Sequence, residues 1–263
     1  ATRKYWGDYN QRVKGPGSPT YVGAIIIFLF VLGILYVSSS YRYWILASAV
    51  LSIMLGWGYY LDWFSKFFID FFPGYDKFRA ITMILIIAVF SIVLMAILAL
   101  DKFLRDDDVI LKQRKLKKAF YITGGITLLF TLVPFLFLDF ISADEKTIVN
   151  TGFLAALASD REAVLISDAW RSFVYIFLAA SVLWMFIKNI IKKQYVILLI
   201  GLLVLFDMWS VNKRYLDDKN FISEGQFVIQ KTDADTKILD NNMNNYRVYD
   251  YTAPNPFSSS ATS

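Results

Sequence analysis

The sequence predicts an all-α polytopic membrane protein with about six transmembrane helices, an interfacial helix and an incomplete C-terminal extracytoplasmic domain. Three observations predict it. Hydrophobic residues make up 57% of the 263, with 23 Phe among them, against roughly 45–50% apolar residues in ordinary soluble domains. Apolar stretches near the length of about 20 residues needed to cross a bilayer core recur along the chain. Basic residues collect between those stretches: 102–118 alone carries seven of the 27 Lys and Arg, which marks a cytoplasmic side.

In order, the apolar stretches are 21–37, 43–59, 81–100, 119–138, 170–187 and 195–211, within a transmembrane region 21–211 that follows a lead-in segment 1–20. Arg42, the 102–118 block and Lys188, Lys192 and Lys193 then face the cytoplasm, and alternation places both ends of the chain outside. Arg3, Lys4, Arg12 and Lys14 oppose that orientation, but reversing it would export the seven-charge block. Tyr41, Tyr43, Trp44, Trp170, Trp184, Tyr195 and Trp209 read as interfacial belt residues rather than substrate-stacking ones. Pro134, after Gly124 and Gly125, predicts a kink inside the fourth span.

Three regions depart from plain spanning helix. In 62–79 (DWFSKFFIDFFPGYDKFR) the aromatics Trp63, Phe64, Phe67, Phe68, Phe71 and Phe72 recur at helical spacing with Asp62, Lys66 and Asp70 between them, the pattern of a helix lying in the interface plane. Pro73 and Gly74 then turn the chain, and Arg79 either snorkels to head groups or holds a lipid phosphate at a binding rim. The outside loop 139–169 carries Asp139, Asp144, Glu145, Asp160, Glu162 and Asp168, and its middle, 148–166, predicts one or two short helices. In the sixth span Asp207 falls about one turn inside the outer boundary, where a carboxylate needs a partner such as Arg79, Arg171 or Arg214. From 212 to 263 the composition turns polar and Asn-rich, the expected start of a soluble outside domain that the sequence does not complete.

With no Cys and no His, the chain has no disulfide, thiolate or imidazole chemistry, and no metal site or cofactor is expected. The net charge of +5 suits anionic lipid head groups better than nucleic acid, so the expected partners are membrane lipids and not nucleic acid. The span interiors offer little beyond Thr82, Ser91, Thr123, Thr127, Thr131, Ser181 and Asp207, which argues against a transporter or flippase.

The run FFIDFFPGYDKFRAITMILIIA, the earlier RKYWGDYNQRVKGPGSPTYVGA and the later LLVLFDMWSVNKRYLDDKNF resemble the Bacteroidetes branch of the YfhO family of large bacterial membrane proteins. PGYDKFR and DMWSVNKRYL carry most of that likeness. The resemblance implies the C-terminal portion of a longer polypeptide in the bacterial cytoplasmic membrane, partnered by the N-terminal half of the same chain. It also implies a GT-C-like glycosyltransferase that moves a sugar from a polyprenyl-phosphate donor to a cell-envelope acceptor. The family's catalytic base lies in the first outside loop of that N-terminal half, so no catalytic residue is assigned. The expected substrate-binding residues are Arg79, Lys77, Tyr75, Asp76 and Asp207, with Arg79 on the phosphate. A non-catalytic scaffold packed against other membrane proteins is the alternative.

Overall fold

Gly23 opens the first helix. Its φ of +104° belongs to a backbone region that L side chains rarely adopt. A Cβ there would lie 3.3 Å from Met208 Sδ, a tight contact with a flexible side chain, and 3.5 Å from an Asp207 oxygen, an ordinary contact, so the backbone conformation rather than space calls for glycine. The structure, a computed structural model, describes residues 20–37, 40–57, 61–73, 81–134, 140–141, 151–215 and 236. The chain divides into two units, Ala1–Tyr215 and Leu216–Ser263, and the helices named here belong to the first.

Among the described residues the fold is all helical: α1 (Ala24–Tyr36), α2 (Tyr41–Gly56), α3 (Asp62–Phe71), a 3-10 turn (Ile81–Ile84), α4 (Leu85–Arg105), α5 (Val109–Leu132), α6 (Thr151–Ile187) and α7 (Lys193–Tyr215). Three stretches are long and apolar enough to cross a membrane: Leu85–Arg105, Gly152–Ile187 and Lys193–Arg214. Of the six spans expected from the sequence, these three meet both length and composition among the described residues. With 13 residues, α1 is about 20 Å long, and α2 with 16 is about 24 Å, both short of a core of roughly 30 Å.

The short α1 sits at the centre of the bundle. Ala24, Ile25, Phe28, Leu29, Leu32, Gly33 and Tyr36 are buried, and the helix touches α4, α5, α6 and α7. Its closest neighbour is α4, where Gly33 meets Met95: a Cβ on Gly33 would come within 2.9 Å of the Met95 carbonyl oxygen. Small residues line the same face of α4, with Ala88, Ser91, Ala96 and Ala99 all buried, so backbones approach through van der Waals packing where lipid supplies no hydrophobic drive. Ser48 of α2 and Ser91 share a hydrogen bond of 2.8 Å, and the Ser52 hydroxyl donates to the Ile84 carbonyl, so α2 also joins α4.

Three sequence expectations change here. The basic stretch 102–118 is not a loop: α4 continues to Arg105, and α5 begins at Val109 because the Asp108 side chain accepts the Leu111 N–H at 2.9 Å. The fourth apolar stretch therefore occupies only the second half of α5. That helix stops at Leu132, with Val133 in a non-helical conformation, so Pro134 ends the helix rather than kinking it. The expected loop 139–169 with short helices is in fact, from Thr151, the front of a single 37-residue helix about 55 Å long. Ser159, Asp160, Arg161 and Glu162 lie inside that helix. No Gly or Pro follows Gly152 to interrupt it, and Arg161 reaches the Phe140 carbonyl at 2.7 Å.

The bundle has two unlike ends. At one, the Tyr36 hydroxyl donates to Asp106, Lys102 Nζ reaches the Tyr36 carbonyl at 2.9 Å, and Arg42 reaches the Ile34 carbonyl at 3.2 Å. Lys112 is buried there with its ammonium 5.5 Å and 5.0 Å from the Phe103 and Phe186 ring centres. The hydrogen bonds from Tyr36 and from the Asp108 N–H hold the Asp106 carboxyl below the usual carboxylate range. At the opposite end the start of α1 meets α6 and α7. Elsewhere the outer flanks of the helices are apolar and exposed, including Ile86 and Phe90 on α4 and Leu198 and Phe206 on α7, as expected when the solvent is hydrocarbon.

Helix α3 is amphipathic. Trp63, Phe67 and Phe71 form one row and Phe64, Phe68 and Phe72 the next, with ring centres 4.9–5.1 Å apart along Phe64–Phe68–Phe72. In the sequence the charged positions 62, 66 and 70 recur at the same four-residue spacing between those rows. Trp63 and Phe71 are 68% and 71% exposed, so the aromatic rows are left largely uncovered by the chain.

Candidate functional site

A buried carboxylate organises the end opposite the lysines. Asp207, on α7, is 1% exposed. One oxygen accepts the Ala24 N–H at 2.8 Å, and the other accepts the Tyr21 hydroxyl at 2.8 Å. Because Gly23 has no side chain to cap α1, this carboxylate caps it from another helix and sits at the positive end of the helix dipole.

Arg171, on α6, closes the network. Its Nη1 lies 3.6 Å from Asp207 and donates to Ser210 Oγ at 2.9 Å, while Nη2 reaches the Tyr21 hydroxyl at 3.3 Å. The Ser210 hydroxyl in turn donates to the Asp207 carbonyl at 2.8 Å. The guanidinium also stands 5.4 Å from the Tyr21 ring centre. On its far side, Arg171 Nε is 3.7 Å from Asp168 and is buried with no hydrogen-bond acceptor. Asp168 is held by Arg214 at 2.6 Å.

Two guanidinium groups and two carboxylates make the cluster formally neutral. Removing Asp207 or Arg171 would leave its buried partner uncompensated, the costly case for a buried pair, whereas Asp168 and Arg214 meet at a partly exposed edge. A cavity of about 320 Å³ adjoins the cluster, with Tyr21, Asp168, Arg171 and Arg214 on its polar side and Phe130 and Leu165 among its apolar walls. Its size lies at the small end of the range for ligand sites.

Among the residues expected to bind substrate, Tyr75, Asp76, Lys77 and Arg79 lie outside the described residues, and Asp207 is placed with both oxygens engaged inside the chain. Of its three expected partners, Arg79 lies outside the described residues, Arg171 is brought to it, and Arg214 pairs with Asp168 instead. Sequence reasoning does not reach Tyr21, Ser210 or the Ala24 N–H. Their signal in the sequence is modest: a glycine just after a tyrosine at the mouth of an apolar stretch, where a helix must begin without a capping side chain.

The scattered hydroxyls inside the helices are spent locally. Thr123, Thr127 and Thr131 donate to carbonyls four residues earlier at 2.9, 3.1 and 2.9 Å, and Ser181 does the same to Phe177 at 2.8 Å. Among the described residues no three His, Cys, Asp or Glu side chains converge on a metal position. Among the described residues the fold is that of a helical bundle with three apolar helices of membrane-crossing length. No family model, curated protein or solved structure matches the chain.

Proposed function

We propose that this chain is the membrane-embedded part of a YfhO-like protein of the bacterial cytoplasmic membrane, which transfers sugar from a polyprenyl-phosphate donor to a cell-envelope acceptor at the extracytoplasmic face. In this reading the six apolar stretches all lie in the membrane, with the shorter α1 and α2 shielded or offset by neighbours. The lysine-rich end is cytoplasmic, and both ends of the chain are outside.

The observation that carries the reading is the uncovered aromatic face of α3. The helix follows α2, whose Gly56 end packs on Leu85 at the end away from the lysines, and its Trp63, Phe67 and Phe71 are exposed. It leads directly to Pro73 and then, in sequence, to Tyr75, Asp76, Lys77 and Arg79. Aromatic rings in the interface followed by fixed cations suit a lipid-linked phosphate: apolar contact for the prenyl chain, charge for the head group. Tyr75 and Asp76 would orient sugar hydroxyls, and Asp207 supports the region by fixing Tyr21 and Arg171 beside the cavity.

The test is transfer from a polyprenyl-phosphate sugar by the full-length protein. Arg79→Ala should cut turnover by about 10–1000-fold, the cost of losing one contact made to developing charge. Arg79→Lys should recover part of it, because an ammonium cannot engage two phosphate oxygens in a plane. Normal turnover in folded Arg79→Ala would overturn the donor assignment.

A second reading, a non-catalytic scaffold, is favoured by the internal use of Asp207. A carboxylate that caps one helix and pairs with another is fully occupied by holding the bundle together. The locally satisfied threonines supply no continuous polar path, which keeps a transporter or flippase last.

A further inference from the structure

A groove of about 300 Å³ runs between α5 and α6 near the lysine-rich end. Its wall is aromatic and apolar: Phe120, Phe177 and Ala180 line it, and the Phe120 and Phe177 ring centres are 6.3 Å apart. At its charged end stands Trp184, with Lys117 Nζ 5.4 Å and Lys188 Nζ 5.7 Å from the indole centre. Among the described residues no carboxylate lies within ion-pair distance of either ammonium. The groove therefore joins an apolar channel to two uncompensated cations gathered on one interfacial ring.

We infer that this groove binds one anionic phospholipid, with an acyl chain along Phe120, Phe177 and Ala180 and the phosphate between Lys117 and Lys188 beside Trp184. Three features support that occupant. From Phe177 to Trp184 the helix rises about 10 Å, enough for the upper part of an acyl chain. Both ammonium groups stand near the Trp184 ring, and lysines beside an apolar groove extend their charge toward head groups. Finally, charge complementarity favours an anionic head group over a zwitterionic one, since each lysine close to an anionic lipid surface is worth roughly 5-fold in binding. The inference concerns the end of the bundle away from Asp207 and α3, and does not depend on the transferase reading.

Native mass spectrometry of the delipidated full chain, offered equimolar phosphatidylglycerol and phosphatidylcholine, tests it. The wild type should retain phosphatidylglycerol preferentially. Lys117→Ala with Lys188→Ala should lower that preference by about 10-fold or more. Lys192→Ala with Lys193→Ala removes the same charge from exposed positions outside the groove and should leave the preference nearly intact. Ala180→Trp, which fills the channel, should reduce retention while the lysines remain. Equal losses in the two double-lysine variants would mean diffuse attraction and overturn the site. Unchanged retention in Ala180→Trp would overturn the acyl-chain groove. Should the Lys117/Lys188 pair variant fail to fold, quenching of Trp184 in a chain whose other tryptophans are Phe decides the matter: brominated phosphatidylglycerol must quench more than brominated phosphatidylcholine at equal content, and equal quenching refutes the proposal.

Discussion

Asp207 and Ala24 stand 183 positions apart in the chain, yet the Asp207 carboxylate accepts the Ala24 N–H at 2.8 Å. Helix α7 thereby caps α1. A buried acid that would be costly alone becomes a structural joint, because it meets an orphan backbone donor, a phenol and a guanidinium together.

Asp207→Leu should lower stability in detergent by on the order of 3 kcal/mol, since it leaves Arg171 and the start of α1 without their acceptor. Asp207→Asn retains an oxygen for the Ala24 N–H and should fall between the wild type and the Leu variant. Thermal unfolding of the three proteins checks this, and identical melting curves for Leu and wild type would remove the ion-pair role.

Gly23 and Gly201 make a matched contrast. At Gly23 an alanine meets an unfavourable backbone region and crowds Met208, so Gly23→Ala should destabilise by about 1–3 kcal/mol. Gly201 lies inside α7 with nothing within 4 Å of where a Cβ would stand, so Gly201→Ala should be neutral or stabilising by about 0.5–1 kcal/mol. Similar melting shifts for both substitutions would contradict the backbone assignment at Gly23.

The Tyr36–Asp106 hydrogen bond should make stability depend on acid. Because the native carboxyl titrates below the usual range, the bond contributes fully above the ordinary aspartate pKa of about 3.9 and is lost as pH falls through the lower native value. The melting-temperature gap between wild type and Tyr36→Phe should therefore be largest near neutrality and shrink below about pH 4. A gap that widens with acid has the wrong sign for this assignment.

Orientation has a direct readout in intact cells. Cysteine at Gln113, within the lysine-rich part of α5, should resist a membrane-impermeant maleimide until the cells are permeabilised. Cysteine at Ser159, exposed on α6, should react without permeabilisation. The reverse labelling pattern would invert every inside and outside assignment.

Composition and period alone establish the helical class, the apolar character of the flanks, the amphipathic aromatic segment before Pro73 and the anomaly of Asp207, since each is a property of a short stretch of chain. Helix limits are less legible. The run 119–138 has the composition of a span with lysines before it, but a cap at Asp108 and a stop before Pro134 move α5 toward the N-terminus. In the same way, the polar 159–162 patch has the pattern of a boundary, although a continuous α6 tolerates it because Ser159 and Asp160 are exposed and Arg161 and Glu162 only partly buried. Packing places a 13-residue helix at the centre, and packing gives Arg171 to Asp207 while Arg214 goes to Asp168. Hydropathy and periodicity are properties of neighbours in sequence. Which guanidinium meets which carboxylate, and which backbone N–H lacks a partner, depends on helices brought together from opposite ends of the chain.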